Sequence, residues 1–245
     1  MQVRRLHSGS VTSTNLSQSQ HSSSETDPDL VTLPSTALTV AALDLVLRTE
    51  SPAIANHSVR SFLFARLLAP HIGLVPGRDF DEELLFLSCV LHDVGLSTLA
   101  KRNTRFEVDG ADRAAEFLSG QGVQAAQVDA VWEAIALHNS YAIAERRGAL
   151  ASLTYQGVAI DFGGTLGLPD THLAAVSAEI GAVIHAAYPR FDMVTAIIDA
   201  VADHAAADPE NAPRYTSPGE ILRERNELGI TYVEELVVKE SRWGN

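Results

Sequence analysis

The tightest constraint in this 245-residue chain is a near-continuous apolar run, Leu84, Leu85, Phe86, Leu87, Cys89, Val90 and Leu91, that ends in His92-Asp93-Val94-Gly95. A helix made from such a run has no polar face, so it must be buried on every side. Residues 79–83 supply an acidic first turn, and Gly95 is expected to stop the helix in the left-handed conformation. The C-terminal end of a helix carries about half a negative charge, so an unpaired Asp93 carboxylate is disfavoured there by burial and by the dipole together. A bound cation removes both penalties. His92-Asp93 therefore reads as half of a metal site.

The rest of the chain repeats the helical period. Ser35 is expected to cap a helix with Leu38, Ala41, Ala42 and Leu45 on one side, and Ser51-Pro52 opens a second in the cap-then-proline order. The second helix puts Ile54, His57, Ser61, Phe64 and Leu68 on one stripe. Further helices are expected over residues 110–118, 124–139 (with His138 on the stripe of Val128, Val131 and Ile135), 150–162 (Thr154, Gly157, Val158, Asp161), 170–187, 191–207 and 218–228, followed by an apolar piece over 232–238. Gly157 would let a neighbouring backbone come close. No strand-period alternation or internal repeat is present, which gives an all-α fold. Residues 1–34 are rich in Ser, Thr and Gln with no apolar period before Leu33, so they are expected to form a disordered extension ahead of one helical catalytic domain over 35–245.

A net charge of −13 and a pI near 5.0 argue against a nucleic-acid groove or an anionic membrane surface, since both need a basic face; a small-molecule substrate is expected instead. One cysteine, Cys89, cannot form an internal disulfide, and no apolar run reaches membrane-spanning length, so a cytoplasmic location is expected. Cys89 itself reads as packing. Alanine-rich helices after Asp170 offer a face for a second copy, a homo-oligomer.

Four residues form a spaced set: His57, then His92-Asp93 after 35 positions, then Asp161 after a further 68. Each projects from the apolar side of its helix, which is how a bundle builds a site in its core. Two imidazoles and two carboxylates suit Zn, Mn, Fe, Co or Ni better than calcium or magnesium. Asp170 is the alternative to Asp161. Arg60 either pairs with a carboxylate or lies on the surface. Lys101, Arg102 and Arg105 read as a solvated loop, or as a phosphate clamp if they fold over the metal. The remaining histidines, His7, His21, His71, His172, His185 and His204, lack metal spacing and receive no role.

Asn56-His57-Ser58-Val59-Arg60, Leu91-His92-Asp93-Val94-Gly95 and the downstream Asp161 together resemble the HD-domain superfamily of metal-dependent hydrolases. With Arg105-Phe106-Glu107-Val108-Asp109-Gly110 and Ala134-Ile135-Ala136-Leu137-His138, the chain looks most like the cyanamide hydratase branch, over about residues 42–190. The resemblance implies the HD helical bundle, with His57, His92, Asp93 and Asp161 as metal ligands. Dinuclear members carry a further histidine where this chain has Phe106, four residues before Gly110, which implies one divalent ion, Zn2+ ahead of Fe2+ or Mn2+. Asp93 and His138 are then the residues expected to act in catalysis, His138 as a proton donor beside the ligands. Such an ion lowers the pKa of its water from 15.7 to about 7. The expected reaction is addition of water to a small nitrile, cyanamide to urea. The alternatives are a phosphohydrolase of nucleoside monophosphates or other small phosphates, and a non-catalytic HD binding module.

Overall fold

The computed structural model describes residues 28–164 and 166–244. Among these residues the secondary structure is helical, without a sheet: α1 (Ala37–Thr49), α2 (Pro52–His71), α3 (Glu82–Leu91), α4 (Phe106–Gly120), α5 (Ala125–Ala136), α6 (Ala149–Asp161), the single turn α7 (Asp170–Leu173), α8 (Ala178–Ala187), α9 (Met193–Ala207), α10 (Ser217–Leu228) and α11 (Tyr232–Glu240).

Local capping sets where the site-bearing helices begin. Ser51 Oγ accepts from the Ile54 amide at 3.4 Å with Pro52 opening α2, and Asp81 accepts from the Leu84 amide at 3.1 Å ahead of Glu82 and Glu83 in α3. From Leu85 to Leu91, α3 is buried at every residue, as its composition requires, and it packs against α1, α2, α5 and α6. Its neighbours contribute Phe62, Leu63 and Leu68 from α2, Leu118 from α4, and Val131 and Ile135 from α5 to one large apolar cluster. A second cluster gathers Ile54, Val158 and Phe162 against Met193, Ile197, Ile198 and Val201 of α9, with Ile221 of α10 and Val237 of α11.

α2 packs extensively against α6. A Cβ on Gly157 would lie 2.2 Å from the Ser61 carbonyl oxygen and 2.9 Å from Ala65 Cβ, so the two backbones meet where the sequence places a glycine. His57 sits one turn before Ser61 and Asp161 one turn after Gly157, and this contact therefore sets the distance between them.

Several expectations are corrected. Thr36 rather than Ser35 caps α1, its hydroxyl accepting from Thr39. Gly95 is not left-handed; it lies in a 3-10 turn, Val94–Leu96, where a Cβ would be 2.0 Å from the Phe106 carbonyl oxygen and 2.7 Å from the Gly110 amide. Its role is close approach of the turn to α4, which starts at Phe106 rather than Gly110. The helix expected over 170–187 is two, because Ser177 caps a new start by accepting from Ile180. Of the extension expected to be disordered, residues 1–27 lie outside the described ones. Residues 28–34 form a 3-10 turn and a strap: the Arg66 guanidinium donates to the carbonyls of Asp29, Leu30 and Thr32, and Val31 and Leu33 pack on the core. Arg66 on α2, whose role is invisible to a composition argument, ties them down.

Gly157→Ala is expected to lower unfolding free energy by about 1–3 kcal/mol, the usual cost of overpacking at backbone contact. Urea denaturation measures it, and an unchanged midpoint would show that α2 and α6 are not in contact here.

Candidate metal centre

Three of the four spaced residues meet. His57 comes from the buried face of α2, His92 ends α3, and Asp93 follows at the entry of the 3-10 turn. One ligand atom from each lies within 4.8 Å of the others, and all three residues are buried.

The hydrogen bonds around them fix the tautomers. His92 Nδ1 lies 2.7 Å from the Cys89 carbonyl oxygen, which can only accept, so Nδ1 carries the hydrogen and Nε2 is a bare lone pair. His57 Nδ1 lies 2.7 Å from Asp161 Oδ2, and the same argument leaves its Nε2 bare. The two Nε2 atoms are 3.2 Å apart, with Asp93 Oδ2 3.2 Å from His92 Nε2 and 3.9 Å from His57 Nε2. Two lone pairs and a carboxylate oxygen facing one another need a positive charge between them. Two imidazoles bound at ~2.05 Å to a tetrahedral ion stand about 3.3 Å apart, so the nitrogen spacing fits a transition metal without rearrangement.

The charges agree. Burial alone would raise Asp93, but the imidazoles of His92, His138 and His57 hold its carboxyl below the ordinary carboxylate range. Burial lowers His57, which keeps it neutral. Burial also pulls His92 down, yet the adjacent Asp93 carboxylate outweighs it and leaves His92 raised. On His92, proton and cation compete for one position.

Asp161 is a correction. It was expected among the ligands, but the structure puts it on the far side of the His57 ring. Arg60 donates to both its oxygens, Nε to Oδ1 and Nη2 to Oδ2, each at 2.8 Å, and Arg190 Nη1 donates to Oδ1 at 3.2 Å. His185 Nε2 lies 3.5 Å from Oδ1. Burial would raise this carboxyl, and the Arg60 guanidinium beside it holds it well below the ordinary range instead. A carboxylate so occupied has no lone pair left to direct at an ion shared with His92; it orients His57. Asp170, the alternative, is exposed at the start of α7.

His138 lies beyond the end of α5, its Nδ1 donating to the Ile135 carbonyl at 2.7 Å and its Nε2 3.8 Å from Asp93 Oδ1. Burial, reinforced by His92, pushes it down to about 4. It stands beside the cluster, neutral, with a bare Nε2. Cys89 is buried and its thiol is pushed up to about 12 by desolvation, which fits packing.

A cavity of about 380 Å³ opens onto His57, His92, Asp93 and His138. Among the described residues, none of its lining is Lys or Arg. Lys101 pairs with Glu116, Arg105 with Glu107, and Arg102 is exposed, so the loop cations do not fold over the site. Sequence reasoning missed Asn139, whose buried Nδ2 at the cavity wall has no partner; its place directly after His138 was the available signal. It also missed Arg190 and His185, which no spacing connects to Asp161.

The sequence model of the HD domain family matches residues 54–208. The chain belongs to the HD domain family. No curated protein matches it significantly. HD domains bind divalent metal ions, and the His-His-Asp cluster of this HD domain fits such a site.

One further acid flanks the site of this HD domain. Glu50, which follows α1, is half-buried as a residue, but both carboxylate oxygens are shielded from water and unpartnered. Desolvation, then repulsion from Asp93, raises its pKa well above the ordinary glutamate value. A raised carboxyl binds its proton more tightly in the folded chain, so stability falls as pH rises from the unfolded value of about 4.3 toward the raised one, and stays reduced above it. Glu50→Gln is therefore expected to raise the melting temperature of the metal-free protein at about pH 8 and leave it unchanged at about pH 4. Calorimetry at the two pH values decides it; an equal shift at both would contradict the assignment.

Proposed function

We propose that this HD domain is a mononuclear hydratase that adds water to a small, uncharged, electrophilic multiple bond of the nitrile type, as cyanamide hydratases do. His57, His92 and Asp93 would hold one divalent ion, Zn2+ ahead of Fe2+ or Mn2+. The observation that carries this reading is a buried ligand set opening into a cavity without a cationic side chain among its described lining. Phosphoryl transfer places charge on equatorial oxygens that need positive partners, and the cations that could have served are paired or exposed elsewhere. Hydration of a nitrile expels no leaving group and builds no phosphate charge, so it needs none of them.

Such an ion would supply an activated water, with a pKa near 7 in place of 15.7. The chain's own residues supply the rest. His138, kept neutral by burial, holds a bare Nε2 3.8 Å from Asp93 Oδ1, where it would accept a proton and pass one to the substrate nitrogen. Asn139 Nδ2 is a donor for the developing charge on that nitrogen. Asp161 holds the His57 ring with its Nε2 aimed inward, while Arg60 and Arg190 hold Asp161.

Zinc-loaded protein should release urea from cyanamide and no phosphate from a nucleoside monophosphate panel. His92→Ala should abolish urea release, and His138→Asn should lower kcat about 10²–10⁴-fold with metal content unchanged. Phosphate release without urea would replace this reading with the phosphohydrolase.

A further inference from the structure

The cavity is far larger than the reaction proposed above requires. Cyanamide occupies roughly the volume of two waters, ~60 Å³, against the 380 Å³ next to the ligand set. The excess is apolar and lies on one side. Ile197, Ile198 and Val201 of α9, Ile221 of α10, and Val233 and Leu236 of α11 form it. Tyr155 contributes carbon, because its hydroxyl turns away to donate to the Leu166 carbonyl at 2.6 Å. Tyr141 and Tyr232 line the cavity while 63% and 64% exposed, which makes an aromatic rim. Polar groups are confined to the metal end and a few side-chain tips, and Asp93 is the sole carboxylate in the described lining.

Part of that wall lies outside the family match. The match ends at residue 208, whereas Ser217, Ile221, Tyr232, Val233 and Leu236 come from α10 and α11 beyond it. These helices pack on α9, and Arg225 of α10 ties them to it, with Nη2 2.8 Å from Asp199 Oδ1 of α9 and 3.0 Å from Glu234 Oε1 of α11. They therefore add a hydrophobic chamber to a metal end that the family segment provides.

We propose that the substrate is a nitrile with an uncharged apolar body, aryl or branched alkyl, and that α10 and α11 select it. This rests on the hydratase reading for the head group, but the argument for the body is independent of it. A charged or hydrogen-bonding body would lose its hydration against isoleucine and valine without recompense, whereas a benzene-sized body exchanges water for apolar contact. The step balances without a co-reactant: water adds across the C≡N bond, a C–O bond forms, the nitrogen takes the proton, and the imidic acid tautomerises to the amide.

The test uses full-length zinc-loaded protein. Hydration of cyanamide, acetonitrile and benzonitrile is compared by kcat/KM, and binding of ethylbenzene, which has no reactive group, is followed by calorimetric titration. Benzonitrile is expected to exceed cyanamide by about 100-fold, within the range that apolar pocket contacts provide. Leu236→Trp, or Ile221→Phe should the first fail to fold, should cut the benzonitrile-to-cyanamide ratio and ethylbenzene affinity at least tenfold. Ethylbenzene binding with no nitrile hydrated supports the apolar chamber while removing the hydratase reading. Cyanamide hydration with no ethylbenzene binding and slower benzonitrile turnover overturns this inference and leaves the hydratase reading intact.

Discussion

The bond from His57 Nδ1 to Asp161 determines what the buried centre can be. By committing one ring nitrogen to a carboxylate, it turns the other inward as a bare lone pair, 3.2 Å from the equally bare Nε2 of His92. Neither imidazole can relieve that contact by changing tautomer, because each Nδ1 already donates to a fixed acceptor. The arrangement is stable when a cation, or a proton in its place, sits among the nitrogens and Asp93. Such a centre is pre-organised for a metal ion and carries a cost without one.

The same bond explains the charges behind it. Asp161 would be an expensive buried anion by itself, and two guanidiniums are needed to retain it. Arg60 spends its remaining donors on the carbonyls of Tyr188 and Pro189, and Arg190 reaches the Asp161 and Gly244 carbonyls, so this polar network also ties α2 and α6 to the segment before α9 and to the C-terminal end. The metal end is thereby supported on rigid helices, with the approach of α2 to α6 at Gly157 setting its scale.

Much of this was legible in the sequence, and the failures have physical causes. His57 and His92-Asp93 were readable because charge-capable side chains on otherwise apolar helix faces have few bland explanations. The all-α fold followed from one repeated period. Asp161 was placed on the right helix and the right face, but spacing cannot tell which side of an imidazole a carboxylate will meet; that depends on Arg60 and Arg190, one of them 29 residues downstream of the aspartate. Residues 28–34 were assigned by composition to the extension, whereas carbonyl acceptors for Arg66 are a property of every backbone and leave no compositional trace. The chamber wall from α10 and α11 was hidden for a related reason. Ile221 is one of few apolar residues within a highly charged α10, Val233 and Leu236 belong to the apolar piece over 232–238, and their importance comes from facing one cavity together.

The account stands most directly on zinc titration of metal-depleted wild type, His57→Ala and Asp161→Asn, each checked for folding by circular dichroism. It predicts one ion per wild-type chain, none in His57→Ala, and one ion held about 10–100-fold more weakly in Asp161→Asn, whose side chain orients a ligand without being one. Loss of binding in Asp161→Asn as complete as in His57→Ala, or a wild-type chain that takes up no zinc, would contradict it.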